Sequence, residues 1–231
     1  MGKVGGDHSA AVAQVAKEVP GIRTIISVNG PSEMVAVPYV DIVMPNHAFP
    51  ITEETVRFVK EEHRKELWLF NIGTSRFSYG FYPWRVGAKG RYQYHARDTL
   101  CFPYNDFDSF QGESIYMKNY PVPDGPPKAT VKMEELREGI YDYRYVRTLE
   151  LILERAGNSG DERVKSAADQ ARALLSEIRG SIDWDIRTHW TVKVSAEEAG
   201  TDMLRSWDAE TCERYRWLIA RAIMNIERYL D

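Results

Sequence analysis

Cysteine is almost missing from this chain: Cys101 and Cys212 are the two among 231 residues. They form no CxxC pair, so the sequence offers neither a disulfide framework nor a cysteine-based zinc site. Also missing is any run near the about 20 apolar residues that a membrane-crossing helix needs. Residues 1–9 are polar and Gly-rich, without the apolar segment of a secretory signal. No membrane partner is therefore expected, and the compartment stays open, because a longer parent protein could be exported. A field of one charge is lacking as well: 30 Lys and Arg mix with 34 Asp and Glu for a net charge of -4, which argues against nucleic acid as a partner. His47, His95 and His189 show no HxxxH or HxH spacing, so no metal site is expected. There is no Gly-rich phosphate loop and no nucleophile elbow, and no cofactor is implied.

What is present is apolar residues at 43%, enough for a sizeable core, and aromatics at 12%, with 13 Tyr and 6 Trp. The aromatics concentrate between Trp68 and Tyr120. Sugar rings present flat C–H faces that stack on such side chains, and an aromatic-rich core is the plainer explanation of the same cluster. Along the chain, a helix is expected over Ser9–Glu18, closed by Pro20-Gly21. Strands are expected over Ile22–Val28, Val40–Met44, Glu66–Asn71 and Arg91–His95. Thr52 caps a helix that carries Val56, Val59 and His63. The continuous run Leu67-Trp68-Leu69-Phe70 suits a strand covered on both faces. Strands separated by helical or compact segments have the rhythm of βα units in a parallel sheet. A full (β/α)8 barrel takes eight such units in ~250 residues, and four are visible here.

The fold expected is α/β: the C-terminal half of a (β/α)8 TIM-like barrel followed by a helical C-terminal extension. The partial barrel spans 1–156, including a long irregular loop over 96–130 with a short strand at Ser114–Lys118, and the extension spans 157–231. Helices are expected over Met133–Arg155, Glu162–Arg179 and Ala209–Leu230 from their apolar periodicity.

Ligands of such a sheet bind at the carboxyl ends of its strands, where Asn29, Asn46, Asn71, Tyr94 and His95 fall. An amide can donate to and accept from a sugar hydroxyl or an acetamido group, and Asn also suits turns and caps for purely structural reasons. Tyr79, Tyr82 and Trp84 form a stacking platform if they line the mouth, with Trp84 or Tyr82 exposed, and core if they point into the wall. The loop carboxylates Asp98, Asp106, Asp108 and Glu113 could supply the two carboxyl groups of ordinary glycoside hydrolysis, although acidic loop residues are usually solvated turn formers.

Several segments carry a resemblance. Trp68-Leu69-Phe70-Asn71, Tyr79-Gly80-Phe81-Tyr82-Pro83-Trp84, Gly87-Ala88-Lys89-Gly90, Tyr116-Met117 before Tyr120-Pro121, Asp124-Gly125-Pro126, and above all Leu136-Arg137-Glu138-Gly139-Ile140-Tyr141-Asp142-Tyr143-Arg144-Tyr145 resemble the C-terminal region of glycoside hydrolase family 123 and its relatives. The likeness runs from about His8 to about Ala156. It implies a retaining β-N-acetylgalactosaminidase-like or β-N-acetylhexosaminidase-like barrel acting on an amino-sugar glycoside. In that family the substrate's own acetamido oxygen attacks the anomeric carbon, an exception to the two-carboxylate scheme. The family's Asp orients the acetamido group and the adjacent Glu protonates the leaving oxygen. Their place is taken here by Gly5-Gly6-Asp7-His8, without a Glu beside Asp7, so no catalytic role is carried over. Asn46, Asn71, Tyr79, Tyr82 and Trp84 match sugar-contacting positions. Glu138 and Asp142, with Arg137, are expected to fix the last barrel helix through buried ion pairs. The chain is thus expected to be a truncated hydrolase, inactive alone, that needs a missing N-terminal half. The alternative is a non-catalytic sugar-binding or assembly protein whose half-barrels pair as a homodimer.

Overall fold

A computed structural model describes residues 3–47, 49–93, 119–120, 122, 124–189 and 206–230. Helix α1 (Lys3–Ala16) starts six residues before the expected Ser9. It leads to strand β1 (Ile25–Val28), a 3-10 helix (Pro31–Tyr39) and strand β2 (Ile42–Pro45). Helix α2 (Glu53–Arg57), whose Thr52 hydroxyl accepts from the Thr55 N–H, passes into one π turn (Phe58–Glu62) before strand β3 (Glu66–Phe70). Two short helices, α3 (Arg76–Tyr79) and α4 (Phe81–Val86), fill the aromatic segment, and strand β4 (Gly90–Tyr92) follows. Pro83 is tolerated because it sits in the first turn of α4, where its missing N–H costs no helical bond. The expected strand at Ser114–Lys118 lies outside the described residues. A short antiparallel pair, β5 (Asn119–Tyr120) and β6 (Lys128–Ala129), precedes three long helices: α5 (Val131–Ala156), α6 (Glu162–Gly180) and α7 (Ala209–Leu230).

The protein is mixed α/β, with a four-stranded parallel sheet in the order β1-β2-β3-β4. Its register pairs Ile26 with Val43, Val43 with Leu67, and Leu69 with Arg91. Asp41 ties the start of β2 to β1: its carboxylate accepts from the Thr24 N–H at 2.8 Å and the Thr24 hydroxyl at 3.1 Å. The backbone bond from Thr24 is the main reason its carboxyl sits below the usual range.

Alternation along a strand sends successive side chains to opposite faces, and the register carries one face across all four strands. Val28, Val43, Leu67 and Leu69 share a fully buried face in contact with the chain's own helical segments. The opposite face carries Ile25, Ile42, Met44, Trp68, Phe70 and Tyr92. Ile42 and Met44 are buried there, whereas Trp68 and Phe70 are half-buried and Ile25 and Tyr92 are 46% and 59% exposed. Double coverage of β3, expected from its continuous apolar run, is therefore corrected. Burial in β3 alternates, and the run is apolar on a face the described residues leave partly open.

The helical part closes more completely. Gly80 and Gly139 meet where α3 crosses α5. A Cβ at Gly80 would lie 2.7 Å from the Gly139 carbonyl oxygen, and one at Gly139 would lie 2.6 Å from Tyr79 Cβ. Beside this contact, Asp142 is fully buried and ionically paired. Arg76 grips it with Nε at 2.6 Å and Nη2 at 2.8 Å, Arg216 Nε reaches it at 2.6 Å, and Arg216 Nη1 reaches Glu138 at 2.6 Å. Arg76 Nη1 also bonds Glu213 at 2.8 Å. Of the expected buried pairing, Asp142 is fully buried with Arg76 and Arg216 as its cations, whereas Glu138 is one-third exposed, and Arg137 lies at the surface 2.5 Å from Glu134 and 3.9 Å from Glu138. Trp207 stacks on Phe77 at 5.0 Å and on Tyr215 at 5.1 Å, so α7 belongs to the same apolar core as α3 and α4.

Candidate functional site at the carboxyl ends of the strands

Each of the four parallel strands ends in an amide: Asn29 after β1, Asn46 after β2, Asn71 after β3 and Gln93 after β4. They are joined in two pairs. Asn46 Nδ2 donates to Asn29 Oδ1 at 2.7 Å, and Gln93 Nε2 donates to Asn71 Oδ1 at 3.3 Å. Local structure fixes each member. The Glu33 carboxylate, at the start of the 3-10 helix, accepts from the backbone N–H of Asn29 and, at 3.1 Å, from that of Gly30. Asn46 continues the ladder through its N–H to the Val28 carbonyl at 2.9 Å, and its own side-chain oxygen receives the His47 N–H at 2.8 Å and the His47 Nδ1 at 2.9 Å. Asn71 has φ of +51°, a left-handed conformation that Asn tolerates better than most residues, and its N–H still reaches the Tyr92 carbonyl at 3.2 Å. These amides turn the chain and are tied to one another in two hydrogen-bonded pairs.

Arg91 organises the β4 end. Its guanidinium donates to Ser78 Oγ at 3.1 Å, to Gln93 Oε1 at 2.9 Å and to the Gly73 carbonyl, and it stacks 3.4 Å above the ring of Tyr79. Tyr79 is half-buried, with Arg91 on one face of its ring. Tyr82 and Trp84 do not provide the exposed platform expected of one or the other. Tyr82 is fully buried and donates to the Trp184 carbonyl at 2.7 Å; Trp84 is 5% exposed and donates through Nε1 to Glu150 at 2.8 Å. The correction has a physical cause. Residues 81–86 form a short helix packed against α3 and α5, and its large rings are buried in that packing. Burial also pushes the Tyr82 hydroxyl far above its usual range, which leaves it a neutral donor. Tyr94, His95 and the loop carboxylates Asp98, Asp106, Asp108 and Glu113 lie outside the described residues.

Alternation places Asn29 and Asn46 on the open face, in line with Ser27 and Met44, and Phe70 and Tyr92 are level with them across the sheet. That edge therefore presents neutral donors and acceptors beside aromatic rings. The four strand-end side chains are amides, with the Glu33 carboxylate beside Asn29 and the His47 ring beside Asn46. Gln93, Arg91 and the open-face rings of Trp68 and Tyr92 were not singled out in the sequence. The signal for Gln93 was available: it stands one position beyond its strand, as Asn29 and Asn71 do. No group of three or more potential metal ligands occurs among the described residues. No family model matches the chain, and no curated protein or solved structure matches it.

Proposed function

We propose that this protein is a glycoside hydrolase-like, carbohydrate-binding domain that forms one half of a (β/α)8 barrel. Its ancestral activity is that of a retaining β-N-acetylgalactosaminidase or β-N-acetylhexosaminidase using the substrate's acetamido group. One observation supports the reading: among the described residues a parallel sheet has one face partly exposed, and the carboxyl edge of that face combines amides with aromatic rings. Parallel sheets are almost always covered on both faces. In a barrel the inner face is covered by side chains of the opposite strands, and sugars are held by the combination of stacking rings and amide groups found at this edge.

The chain by itself binds an amino sugar and does not hydrolyse its glycosides. Ligand-observed NMR with N-acetylgalactosamine should detect weak binding that Asn46→Ala combined with Tyr92→Ala abolishes. An aryl 2-acetamido-β-galactoside should release no product. Failure to bind any N-acetylated sugar would remove the carbohydrate reading, and robust turnover would remove the half-barrel reading.

A second reading, assembly through paired half-barrels, is favoured by the β1 edge. Among the described residues β1 pairs with β2 alone, and Val12, Val15, Ile25 and Val35 near it are all exposed. An unpaired edge bordered by apolar side chains is a template for another strand. Light scattering on the NMR sample separates the two readings: a stable dimer supports assembly, and a monomer that binds sugar supports the first.

A further inference from the structure

At the opposite, amino edge of the sheet lies a cleft of about 480 Å³ between the π turn, the α4–β4 turn, α5 and α6. Lys60, Arg85, Lys89, Arg147 and Arg179 line it, against two carboxylates, Glu61 and Glu150. Glu150 is already engaged: one oxygen accepts from Trp84 Nε1 at 2.8 Å and lies 3.7 Å from Arg179, and the other pairs with Arg147. The remaining nearby acids are Glu66, 3.8 Å from Lys89, and Glu53 and Asp183, whose charges act on Arg85. The lining itself thus carries five cations against two carboxylates, with Glu66, Glu53 and Asp183 flanking it.

Three of these cations, Arg85, Arg179 and Lys60, are anchored by neighbours although Lys60 and Arg179 are solvent-exposed, whereas Lys89 is 70% exposed. The Arg85 guanidinium stacks 3.7 Å from the Trp184 ring while its Nε donates to the Ile182 carbonyl at 2.9 Å. Arg179 stacks 4.5 Å from Trp84. Lys60 Nζ donates to the Gly87 carbonyl at 3.0 Å and occupies the space a side chain at residue 87 would need; Gly87, with φ of +65°, leaves it free. Lys60 gets there because α2 widens into a π turn, and single π turns inside helices occur frequently at functional sites. Burial, then the neighbouring Lys89 and Arg179, hold the Lys60 ammonium below its usual range, and burial followed by Arg179 does the same to Arg85. Like charges fixed this close together repel one another, and a bound anion relieves the repulsion.

We propose that this cleft is a binding site for a small phosphate- or sulfate-bearing ligand, gripped by Lys60, Arg147 and Arg179. Guanidinium groups match tetrahedral oxyanions with paired N–H donors, and stacking on Trp84 has already ordered Arg179, which lowers the entropy lost on binding. The site rests on nothing in the carbohydrate reading and stands or falls separately.

Calorimetry at constant ionic strength, with chloride as the balancing salt, tests it on the intact protein. Inorganic phosphate, inorganic sulfate and a hexose 6-phosphate are the probes. Saturable binding of at least one is expected, weakened at least tenfold by Lys60→Gln with Arg179→Gln. Arg147→Gln, which changes a half-exposed side chain and guards against a folding artefact, should weaken it several-fold with an unchanged circular dichroism spectrum. Tighter binding of the hexose phosphate than of the free ions would identify a phosphorylated sugar as the source; equal affinities would identify the free anion. No saturable binding by any probe, equal binding by the variants, or binding of poly-glutamate but none of the three would overturn the proposal.

Discussion

The sheet part and the helical part of this protein solve the same burial problem to different degrees. Between α3, α5 and α7 the fully buried Asp142 is held by two guanidiniums, and the glycines at 80 and 139 let backbones touch. The parallel sheet finishes one face and leaves aromatic rings showing on the other. The difference teaches where selection for stability ends and a surface meant for something else begins. A closed region has little to offer a ligand, whereas an apolar face left partly uncovered is tolerated when a partner or substrate uses it.

The comparison breaks most visibly at Asp142. Replacing it with Ala leaves Arg76 and Arg216 facing each other without their shared counter-ion, and losing one partner of a buried ion pair costs about 3–5 kcal/mol. Urea unfolding of Asp142→Ala should show a midpoint lowered accordingly, and a loss below about 1 kcal/mol would mean that water reaches this network.

A smaller effect comes from His189, buried against Phe77 at a ring distance of 5.2 Å. Its Nε2 accepts the Asp183 N–H at 3.0 Å, so the ring is neutral with its proton on Nδ1, toward Ser206 Oγ at 3.0 Å. Burial holds its folded pKa below the ordinary imidazole range, against the opposing pull of Asp183 and Asp185. Below the unfolded pKa the unfolded chain binds a proton that the folded one refuses, so stability rises with pH there. His189 should therefore contribute stability that is complete above about pH 6.5 and is lost as pH falls toward the folded pKa. His189→Gln should flatten that part of the stability–pH curve. An unchanged slope would contradict the neutral assignment.

The smallest effect is expected on the open face. Tyr92→Ser should change stability by about 0.5 kcal/mol or less, as exposed substitutions do. A loss of about 2 kcal/mol would show that the ring is covered in solution and that the two parts of the molecule are more alike than described.

Much of the architecture was legible because periodicity and turn chemistry are local. The four strands begin within a few residues of their expected starts, since each follows a capped helix or a Pro, Asn or Gly turn that punctuates the chain. The long helices were legible from their apolar spacing. The 3-10 helix at Pro31–Tyr39 was not, because its pattern is too short and its internal Pro38 argues against any helix. The amides at Asn29, Asn46 and Asn71 stood out by position. The burial of Tyr82 and Trp84 did not, because an aromatic run reads identically whether its rings meet a ligand or a helix, and α5 lies about sixty residues further along. The cationic cleft was invisible for the same reason: Lys60, Lys89, Arg147 and Arg179 are scattered singly among acids in the sequence and converge only on folding.

Arg76 also fixes an order of events. It bonds Asp142 across 66 positions and Glu213 across 137, and closing such long loops slows folding more than it alters stability. During synthesis α3 must wait with an uncompensated guanidinium until α5 emerges, and Asp142 then waits for Arg216 on α7. This ionic cluster can therefore close only once α7 is available, so α3, α5 and α7 are expected to lock together rather than one after another.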